Sequence, residues 1–366
     1  MSLSIGIVGL PNAGKSTIFN ALARAHRAEA ASYPFCTIEP NKAIVPVPDQ
    51  RVEKVAELTN PKTVIHSTVE FVDIAGLVKG ANQGEGLGNK FLSHIRETDA
   101  ILHVVRCFTD DNVAHVEGTL DPTRDVEIVE TELLLADVET AGNRVQKLQK
   151  QIRGDNSLKS LVELAERLRG HLSEGLPAAA FPERESEKAM ELLKEMRLLT
   201  DKPVIYCANT DENSMSPDCE VLRAVAAAAE ARNAPWVSIC AEMEEELFEL
   251  ADDERAEFLA AYGIEENGLA QTVRTGFSTL GLISFITTMS NEVKAWTVQQ
   301  GCKAPQAAGT IHTDFEKGFI RAHVTAYEDF VANGGESPCR AVGLVHEEGK
   351  DYEIRDGDVI RFLFNV

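Results

Sequence analysis

The chain has 366 residues, of which 44% are hydrophobic and 26% are charged. These values are typical of a globular protein, exclude a collagen-like or wholly disordered chain, and together with the length predict two or three domains. Acidic residues outnumber basic residues by 58 to 36, a net charge of -22, so a contact with nucleic acid would need a local basic surface.

The compartment is indicated by what the sequence omits. The first residues contain no basic segment of the kind that begins a secretory signal, and no apolar run approaches the roughly 18 residues that a membrane span requires. The seven cysteines are scattered and never spaced as CxxC, which favours neither a disulfide framework nor a zinc site. We therefore expect a cytoplasmic protein that makes no membrane contact.

Short apolar runs alternate with helix-like stretches in the first 110 residues. The runs at 4–8, 69–72 and 100–105 are predicted strands, and two more follow at 203–208 and 236–239. Strands that alternate with helices predict a parallel α/β sheet. We assign residues 1–125 and 200–279 to this α/β domain.

Strand signals almost disappear between residues 126 and 199. Apolar residues recur there at three- and four-residue steps over 133–152 and 158–172, with a turn between them, which predicts an inserted antiparallel helical hairpin or coiled-coil arm. Residues 141–170 contain seven basic and three acidic side chains, a net charge of +4. This surface is either an RNA contact or a solvated helix face with internal ion pairs.

The last part of the chain, residues 280–366, has a different pattern. Strand-like runs at 283–287, 293–298, 322–327 and 359–364 are separated by glycine-containing turn signals. This pattern predicts a small, separate α+β domain.

Residues 9–17 (Gly-Leu-Pro-Asn-Ala-Gly-Lys-Ser-Thr) fit the P-loop pattern GxxxxGK[ST] between a predicted strand and an apolar helix. Such a loop curls backbone N–H groups around phosphate oxygens at the positive end of a helix. We expect Lys15 to contact the β- and γ-phosphates as a catalytic group and Ser16 to bind Mg²⁺. The nucleotide-binding residues predicted here are Asn12, Ala13, Gly14, Lys15, Ser16 and Thr17.

Two further segments complete the predicted phosphate and metal site. Asp73, in Asp-Ile-Ala-Gly after the second predicted strand, is placed to hold Mg²⁺, and the Gly76 amide is placed to sense the γ-phosphate. Thr37, in the segment between the P-loop and Asp73, is the candidate for a second Mg²⁺ hydroxyl on a mobile switch. The predicted metal ligands are therefore Ser16, Thr37 and Asp73.

The segment expected to contact the nucleotide base, residues 209–212, differs in sequence from that of a GTPase. A GTPase has Asn-Lys-x-Asp after a late strand, where the Asp accepts hydrogen bonds from guanine; here the residues at 209–212 are Asn-Thr-Asp-Glu. Asn209, Thr210 and Glu212 are the predicted base-side residues. The extra methylene of Glu212 should misplace the carboxylate for guanine, so we expect ATP to be preferred over GTP. A one-residue shift that brought Asp211 to the base would favour GTP instead.

Taken together, these motifs resemble those of the YchF or Obg-like ATPases, a branch of the Obg family of translation-factor GTPases. The matching segments cover nearly the whole chain: 9–17, 35–41, 73–81, 84–89, Asn209-x-x-Glu212 and Asp356-Gly357-Asp358. The resemblance implies an α/β P-loop NTPase domain with a parallel-rich sheet, an inserted helical arm at 126–199 and a C-terminal TGS-like β-grasp domain at 280–366. It also implies hydrolysis of ATP and association with the ribosome, either the large subunit or the whole particle. We expect the basic arm and the TGS-like domain at 280–366 to provide that contact.

The same resemblance bears on three single residues. His115 is similar to a family histidine suggested as a mobile catalytic group, although an ordinary surface or packed histidine explains it equally well. Leu77 stands where many GTPases place the glutamine that orients the attacking water, so another group or a partner must do this. Cys36, in the switch segment, is either redox-sensitive or a small packed residue.

Our interpretation is a Mg²⁺-dependent ATP hydrolase that acts as a nucleotide-controlled switch on the ribosome and has no DNA specificity. The first alternative is a GTP-specific Obg-type translation or ribosome-assembly GTPase. The others are a P-loop kinase for a small molecule and a nucleotide-gated scaffold whose hydrolysis is incidental. A kinase would need a lid with several arginines, and no such cluster lies near the P-loop in the sequence.

Overall fold

The structure is a computed structural model of the chain. It describes residues 3–29, 41–74, 87–110, 113, 115–152, 156–214, 219–248, 250–261, 267–289 and 291–365. Four residues that the sequence analysis singled out lie outside the described residues: Cys36, Thr37, Gly76 and Leu77.

The secondary structure alternates strands and helices in the N-terminal part and is mixed in the C-terminal part. The described strands are β1 (Ser4–Val8), β2 (Lys42–Pro46), β3 (Thr63–Ile65), β4 (Thr68–Asp73), β5 (Ala100–Cys107), β6 (Val204–Thr210), β7 (Trp236–Ile239), β8 (Leu282–Met289), β9 (Glu292–Gln299), β10 (Phe319–Thr325), β11 (His346–Glu348) and β12 (Val359–Phe364). The described helices are α1 (Lys15–Glu29), α2 (Gln50–Thr59), α3 (Leu87–Glu97), α4 (Pro122–Gln151), α5 (Lys159–Ser173), α6 (Glu187–Met196), α7 (Glu220–Ala231), α8 (Ala241–Leu247), α9 (Asp252–Ala261), α10 (Gly268–Thr279), α11 (Ala304–Ile311), α12 (Thr313–Lys317), α13 (Tyr327–Asn333) and α14 (Glu336–Ala341). None of the helices within the described ranges is long and apolar enough to cross a membrane.

The first sheet has the strand order β2-β4-β1-β5-β6-β7. Strand β5 pairs in parallel with β1 and β6, and β6 pairs in parallel with β7. All eight residues of β5 and all five of β1 are buried. Strands covered on both faces have near-continuous apolar sequences, which is why these two were recognisable. The prediction of a parallel-rich α/β sheet is confirmed.

Helix α4 is the longest described helix, with 30 residues, and it connects two hydrophobic cores. Its N-terminal half packs Val129, Leu133 and Ala136 into the core of the first sheet, whereas its C-terminal half packs with α5 and α6 in a separate core. At 1.5 Å per residue it is about 45 Å long. The predicted helical hairpin is present as α4 and α5, and α6, which the sequence analysis did not identify, covers the open side of its core.

The second sheet is mixed, with the order β11-β10-β12-β8-β9-β3. Strand β12 is antiparallel to β10 and parallel to β8, while β8 and β9 form an antiparallel hairpin. Helix α11 packs against one face, and α2 and α13 pack against the other. This arrangement agrees with the expected β-grasp fold. The predicted strand at 322–327 was misplaced: β10 ends at Thr325, and Tyr327 begins α13.

The tail motif at 356–358 is a tight turn in this second sheet. Asp356 accepts hydrogen bonds from the Ser284 amide at 2.9 Å and from the Arg51 guanidinium at 2.9 Å. Gly357 has a φ of +90°, and a Cβ there would lie 2.7 Å from Nη1 of Arg51. The positive φ favours glycine, and a larger residue would also displace the Arg51 guanidinium, which explains Gly357 by backbone geometry and packing.

The chain divides into two compact units, Met1–Ala21 with Phe71–Leu269 and Leu22–Glu70 with Ala270–Val366. The second unit includes an early segment because β3 pairs in parallel with β9, with Val64 opposite Val293. The sequence analysis placed residues 1–125 in one domain, since the three half-buried residues of β3 gave no strand signal. The three-part domain boundaries stay a prediction.

Candidate nucleotide-binding site

The loop between β1 and α1 has a backbone that depends on its glycines. Gly14 has a φ of +91°, and a Cβ there would lie 2.0 Å from Nδ2 of Asn209. A Cβ at Gly9 would lie 2.4 Å from the carbonyl oxygen of Val104 on β5. Both contacts are too short for any side chain, so the P-loop can pack against β5 and β6 only with glycine at these positions.

Lys15 begins α1 and is 7% exposed. Its Nζ donates a hydrogen bond to the carbonyl oxygen of Leu10, within the same loop, at 2.7 Å. Burial lowers the pKa of Lys15 to about 8, and the nearby Asp73 carboxylate partly opposes this. Burial likewise raises the pKa of Asp73, against the effect of Lys15. The predicted phosphate-contacting cation and the predicted metal-binding carboxylate therefore lie close enough to influence each other.

His103 is buried in β5, and the sequence analysis did not predict it. Complete burial, with a smaller effect of the Lys15 charge, lowers its pKa to about 3. Its ring centroid lies 5.4 Å from that of Tyr206 on β6. Because it stays neutral, His103 adds no positive charge beside Lys15. A polar residue inside a predicted buried strand was the available signal.

Asn209 at the end of β6 connects two loops. Its Nδ2 donates to the carbonyl oxygen of Ala13 at 3.0 Å, and its Oδ1 accepts from the amide of Ala241, the first residue of α8, at 3.2 Å. Both ends of the amide are thus used to hold the P-loop and the start of α8 against β6. The predicted base-side asparagine is in place, and here its bonds are made to the protein backbone.

The three residues after Asn209, at positions 210–212, lie in different environments. Thr210 is buried, with its hydroxyl 3.3 Å from the carbonyl oxygen of Ile239. Glu212 is exposed and begins a short 3-10 turn. The Asp211 carboxylate accepts from the amides of Ser214 at 2.9 Å and Thr109 at 3.4 Å. Because both oxygens of Asp211 have backbone partners, moving this carboxylate to a guanine edge would require two hydrogen bonds to break.

The residues available for Mg²⁺ suit that ion. Ser16 is exposed on the first turn of α1, and Asp73 is half-buried at the end of β4 near Lys15. Hydroxyl and carboxylate oxygens are the donors that Mg²⁺ prefers, and the ion usually takes few protein ligands because phosphates supply the rest. The donor set therefore fits a magnesium–nucleotide site. The third predicted ligand, Thr37, is outside the described residues.

Comparison with known proteins decides the family. Over 100% of both chains, the sequence is 47% identical to the "Ribosome-binding ATPase YchF" of Bacillus subtilis and 48% identical to that of Haemophilus influenzae. The solved structure of the Schizosaccharomyces pombe YchF GTPase is 35% identical, with a TM-score of 0.89, and the match covers 99% of this chain and 98% of that one. This chain belongs to the YchF family.

Two family models match separate parts of this YchF-family chain. The model described as a 50S ribosome-binding GTPase matches residues 4–133, which include the P-loop and Asp73. The model for the YchF GTPase C-terminal domain, described as a protein of unknown function, matches residues 282–365. The second match begins with β8 and ends one residue after β12, so it coincides with the C-terminal part of the second sheet.

Arg106 is a second site residue of this YchF-family chain that the sequence analysis missed. It is buried near the end of β5, and its guanidinium lies 4.5 Å from the Phe108 ring centroid. Its Nη2 donates to the carbonyl oxygen of Val113 at 2.8 Å, and its Nη1 lies 3.5 Å from the carbonyl oxygen of Asn12. Arg106 thus joins the P-loop to the segment that precedes His115. An arginine inside a buried parallel strand was the available signal.

His115 is packed in this conformation, with its side chain 9% exposed. Its Nε2 is 2.9 Å from Oδ2 of Asp125 on α4, and its Nδ1 accepts from the amide of Glu117 at 3.1 Å. Of the interpretations offered for this histidine, the structure shows an ordinary packed side chain. Its catalytic role stays a prediction.

Glu244, on the helix whose first amide bonds Asn209, leads to a prediction about pH. Its buried carboxylate accepts from the amide of Leu269 at 3.1 Å, and burial raises its pKa to about 7 from the ordinary 4.5. A raised folded-state pKa means that the protonated form favours folding. This stability is complete below the ordinary pKa and is lost as the pH rises through about 7.

Glu244→Gln mimics the protonated carboxyl. We expect this variant to become more stable relative to the wild type as the pH rises. The difference in the free energy of unfolding between variant and wild type should grow by about 1–3 kcal/mol from pH 5 to pH 8. Urea unfolding at several pH values measures it. Glu242→Gln, at an exposed position on the same helix, is the control and should give a flat difference. A flat difference for Glu244→Gln as well would contradict the prediction.

Proposed function

We propose that this chain is a Mg²⁺-dependent ATP hydrolase that associates with the ribosome in the cytoplasm and acts there as a nucleotide-controlled switch. The observation that supports it best is the buried Lys15 ammonium within a P-loop, beside the Asp73 carboxylate. The names printed for its relatives, ribosome-binding ATPase, agree with this proposal.

In this proposal the protein acts mainly by positioning charge. Lys15 contacts the β- and γ-phosphates from a site where burial strengthens its electrostatic effect, while the loop amides donate to phosphate oxygens. Ser16, Asp73 and Thr37 hold Mg²⁺, which neutralises charge on the phosphate oxygens when bound. The Gly76 amide senses the γ-phosphate. His115 supplies the water-orienting contact that Leu77 cannot make.

The base-side geometry supports ATP as the substrate. Asp211 is engaged by two backbone amides, and Glu212, which is exposed, stands at the position of the guanine-reading aspartate. A glutamate there is one methylene too long to take the place of the guanine-reading aspartate. Adenine has no 2-amino group, so it loses no hydrogen bond by this replacement.

The second candidate is a GTP-specific Obg-type GTPase acting in translation or ribosome assembly. Two observations favour it: the matching family model is described as a 50S ribosome-binding GTPase, and the S. pombe relative is titled a GTPase. It requires a carboxylate that reads guanine, and only Asp211 or Glu212 is near enough in sequence to provide it.

For catalysis, we expect release of inorganic phosphate from ATP that rises when ribosomes are added. Lys15→Ala should abolish hydrolysis because the phosphate contact is lost, and His115→Ala should lower kcat while sparing ATP affinity. Intrinsic turnover should be slow, below the enzyme median of about 10 s⁻¹. Phosphate release that ribosomes do not change would contradict the switch, and transfer of phosphate to a small molecule would indicate the kinase alternative.

For base choice, we expect the wild type to bind ATP more tightly than GTP. Glu212→Asp, alone and with Thr210→Lys, should move the ratio of dissociation constants towards GTP by about tenfold, within the 1–3 kcal/mol of a good bidentate base contact. Titration of each variant with both nucleotides measures this. Asp211→Asn serves as the test of the shifted arrangement: a selective loss of GTP affinity would mean that Asp211 reads guanine.

We propose that the arm contacts the ribosome through only some of its basic residues. Arg144 is paired with Glu195 at 2.6 Å and its side chain is 16% exposed, and Arg167 is paired with Glu183 at 2.6 Å. Arg153 lies outside the described residues. Among the described residues of the basic stretch 141–170, the exposed basic side chains that remain for a phosphate contact are Lys147, Lys150, Lys159 and Arg169.

Replacing Lys147, Lys150 and Lys159 by glutamine should weaken co-sedimentation with ribosomes. The slope of log affinity against log salt concentration should become shallower by about 2–3, since each lost phosphate contact removes 0.7–0.9. Arg167→Gln, which removes a cation already paired with Glu183, should change the slope less. An unchanged salt dependence in the triple variant would mean that these lysines form a solvated helix face and do not contact the ribosome.

A further inference from the structure

Asp125 is a buried carboxylate that none of the predicted functions uses. It lies on the first turn of α4, which begins after the capping residue Asp121 with a proline at its N-terminus. Asp125 is 4% exposed, and its Oδ2 lies 2.9 Å from Nε2 of His115. Its other oxygen, Oδ1, accepts from Nη2 of Arg124 at 3.0 Å. Burying a carboxylate costs free energy, so a buried carboxylate aimed at a histidine ring needs an explanation.

The hydrogen bonds of His115 define which ring nitrogen holds the hydrogen. A backbone N–H can only donate, so Nδ1, which faces the Glu117 amide at 3.1 Å, must be the acceptor. Nε2 then holds the hydrogen and donates it to Asp125. A carboxylate that receives the hydrogen of one nitrogen fixes both the tautomer and the orientation of an imidazole, and the other nitrogen stays available as an acceptor.

The ring lies in a segment attached to the P-loop. Arg106 contacts the carbonyl oxygens of Asn12 and Val113 with the two ends of one guanidinium. His115 is two residues beyond Val113, whereas Asp125 is on a helix anchored in the core of the first sheet. The His115 ring is therefore held by Asp125 of α4 on one side. The segment that contains His115 is connected to the phosphate-binding loop through Arg106.

We propose that Asp125 is the positioning residue for His115 in hydrolysis. It holds the ring as the tautomer with hydrogen on Nε2, so that Nδ1 accepts a hydrogen bond from the attacking water in place of the Glu117 amide. Orientation of the water is the task that a glutamine performs in many GTPases and that Leu77 cannot perform. This inference rests on the catalytic role proposed for His115.

The kinetic test is a double-mutant cycle with Asp125→Asn, His115→Ala and the double variant. Asp125→Asn should lower kcat about 10-fold or more, because an asparagine in place of the carboxylate no longer sets the tautomer of the ring, and should leave the KM for ATP within about 2-fold. The double variant should hydrolyse ATP no more slowly than His115→Ala. Losses that multiply in the double variant, or an unchanged kcat in Asp125→Asn, would overturn the proposal.

Asp137 provides the matched control, because it is a buried carboxylate further along α4. It accepts hydrogen bonds from the amides of Leu199 and Thr200 at 2.8 and 2.7 Å and touches none of the site residues described above. Asp137→Asn should lower the melting temperature without a change in kcat. An equal loss of kcat in both variants would mean that Asp125 acts only through the stability of α4.

A measurement on the unaltered protein completes the test. The ¹⁵N resonances of the His115 ring, assigned by their absence in His115→Ala, should show hydrogen on Nε2 in the wild type and a mixture of tautomers in Asp125→Asn. Hydrogen on Nδ1 in the wild type would overturn the proposal even if the variants did not fold. A normal kcat in His115→Ala would instead refute the role of His115, whatever the spectrum shows for Asp125.

Discussion

The contact between Asn209 and the P-loop is the constraint on which the site depends. Its Nδ2 occupies the space where a Cβ on Gly14 would lie, and it donates to Ala13, while Oδ1 receives the first amide of α8. One short side chain on β6 thus sets the distance between the phosphate loop and the start of the next helix. Because both polar ends of this amide are satisfied within the protein, the loop is preorganised for phosphate before any nucleotide contact forms.

Burial sets the electrostatic character of the site. The same desolvation that lowers the pKa of Lys15 and raises that of Asp73 makes their charges costly when isolated and strongly attractive to opposite charge. Buried His103 stays neutral, so it cannot compete with Lys15 for phosphate. Nucleotide phosphates with Mg²⁺ would supply compensating charges to both groups, so the burial of Lys15 and Asp73 suits the proposed substrate.

Helix α4 links the proposed chemistry to the proposed partner. Its first turn contains Asp125, whose carboxylate holds His115, and its last turns contain exposed Lys147 and Lys150 on the arm. Between these ends it packs into two cores, one at the first sheet and one within the arm. A single continuous helix is a stiff connection, so a displacement of the arm would also move Asp125, the residue proposed to orient His115.

Sequence patterns alone predicted the P-loop, the parallel strands, the helical hairpin and the departure of Glu212 from the residue of a GTPase. Each depends on local pattern: fully buried strands are continuously apolar, amphipathic helices repeat at 3.6 residues, and glycine spacing marks a phosphate loop. Only the tertiary structure showed that Arg106 joins Asn12 to Val113, that Asp125 faces His115 and that β3 completes the second sheet. These contacts join residues from separate elements, and three half-buried residues or one charged residue in a strand leave no periodic signal. Only long-range packing brings residues from separate elements together. It therefore decides which cations are paired and which nitrogen of a histidine accepts a hydrogen bond.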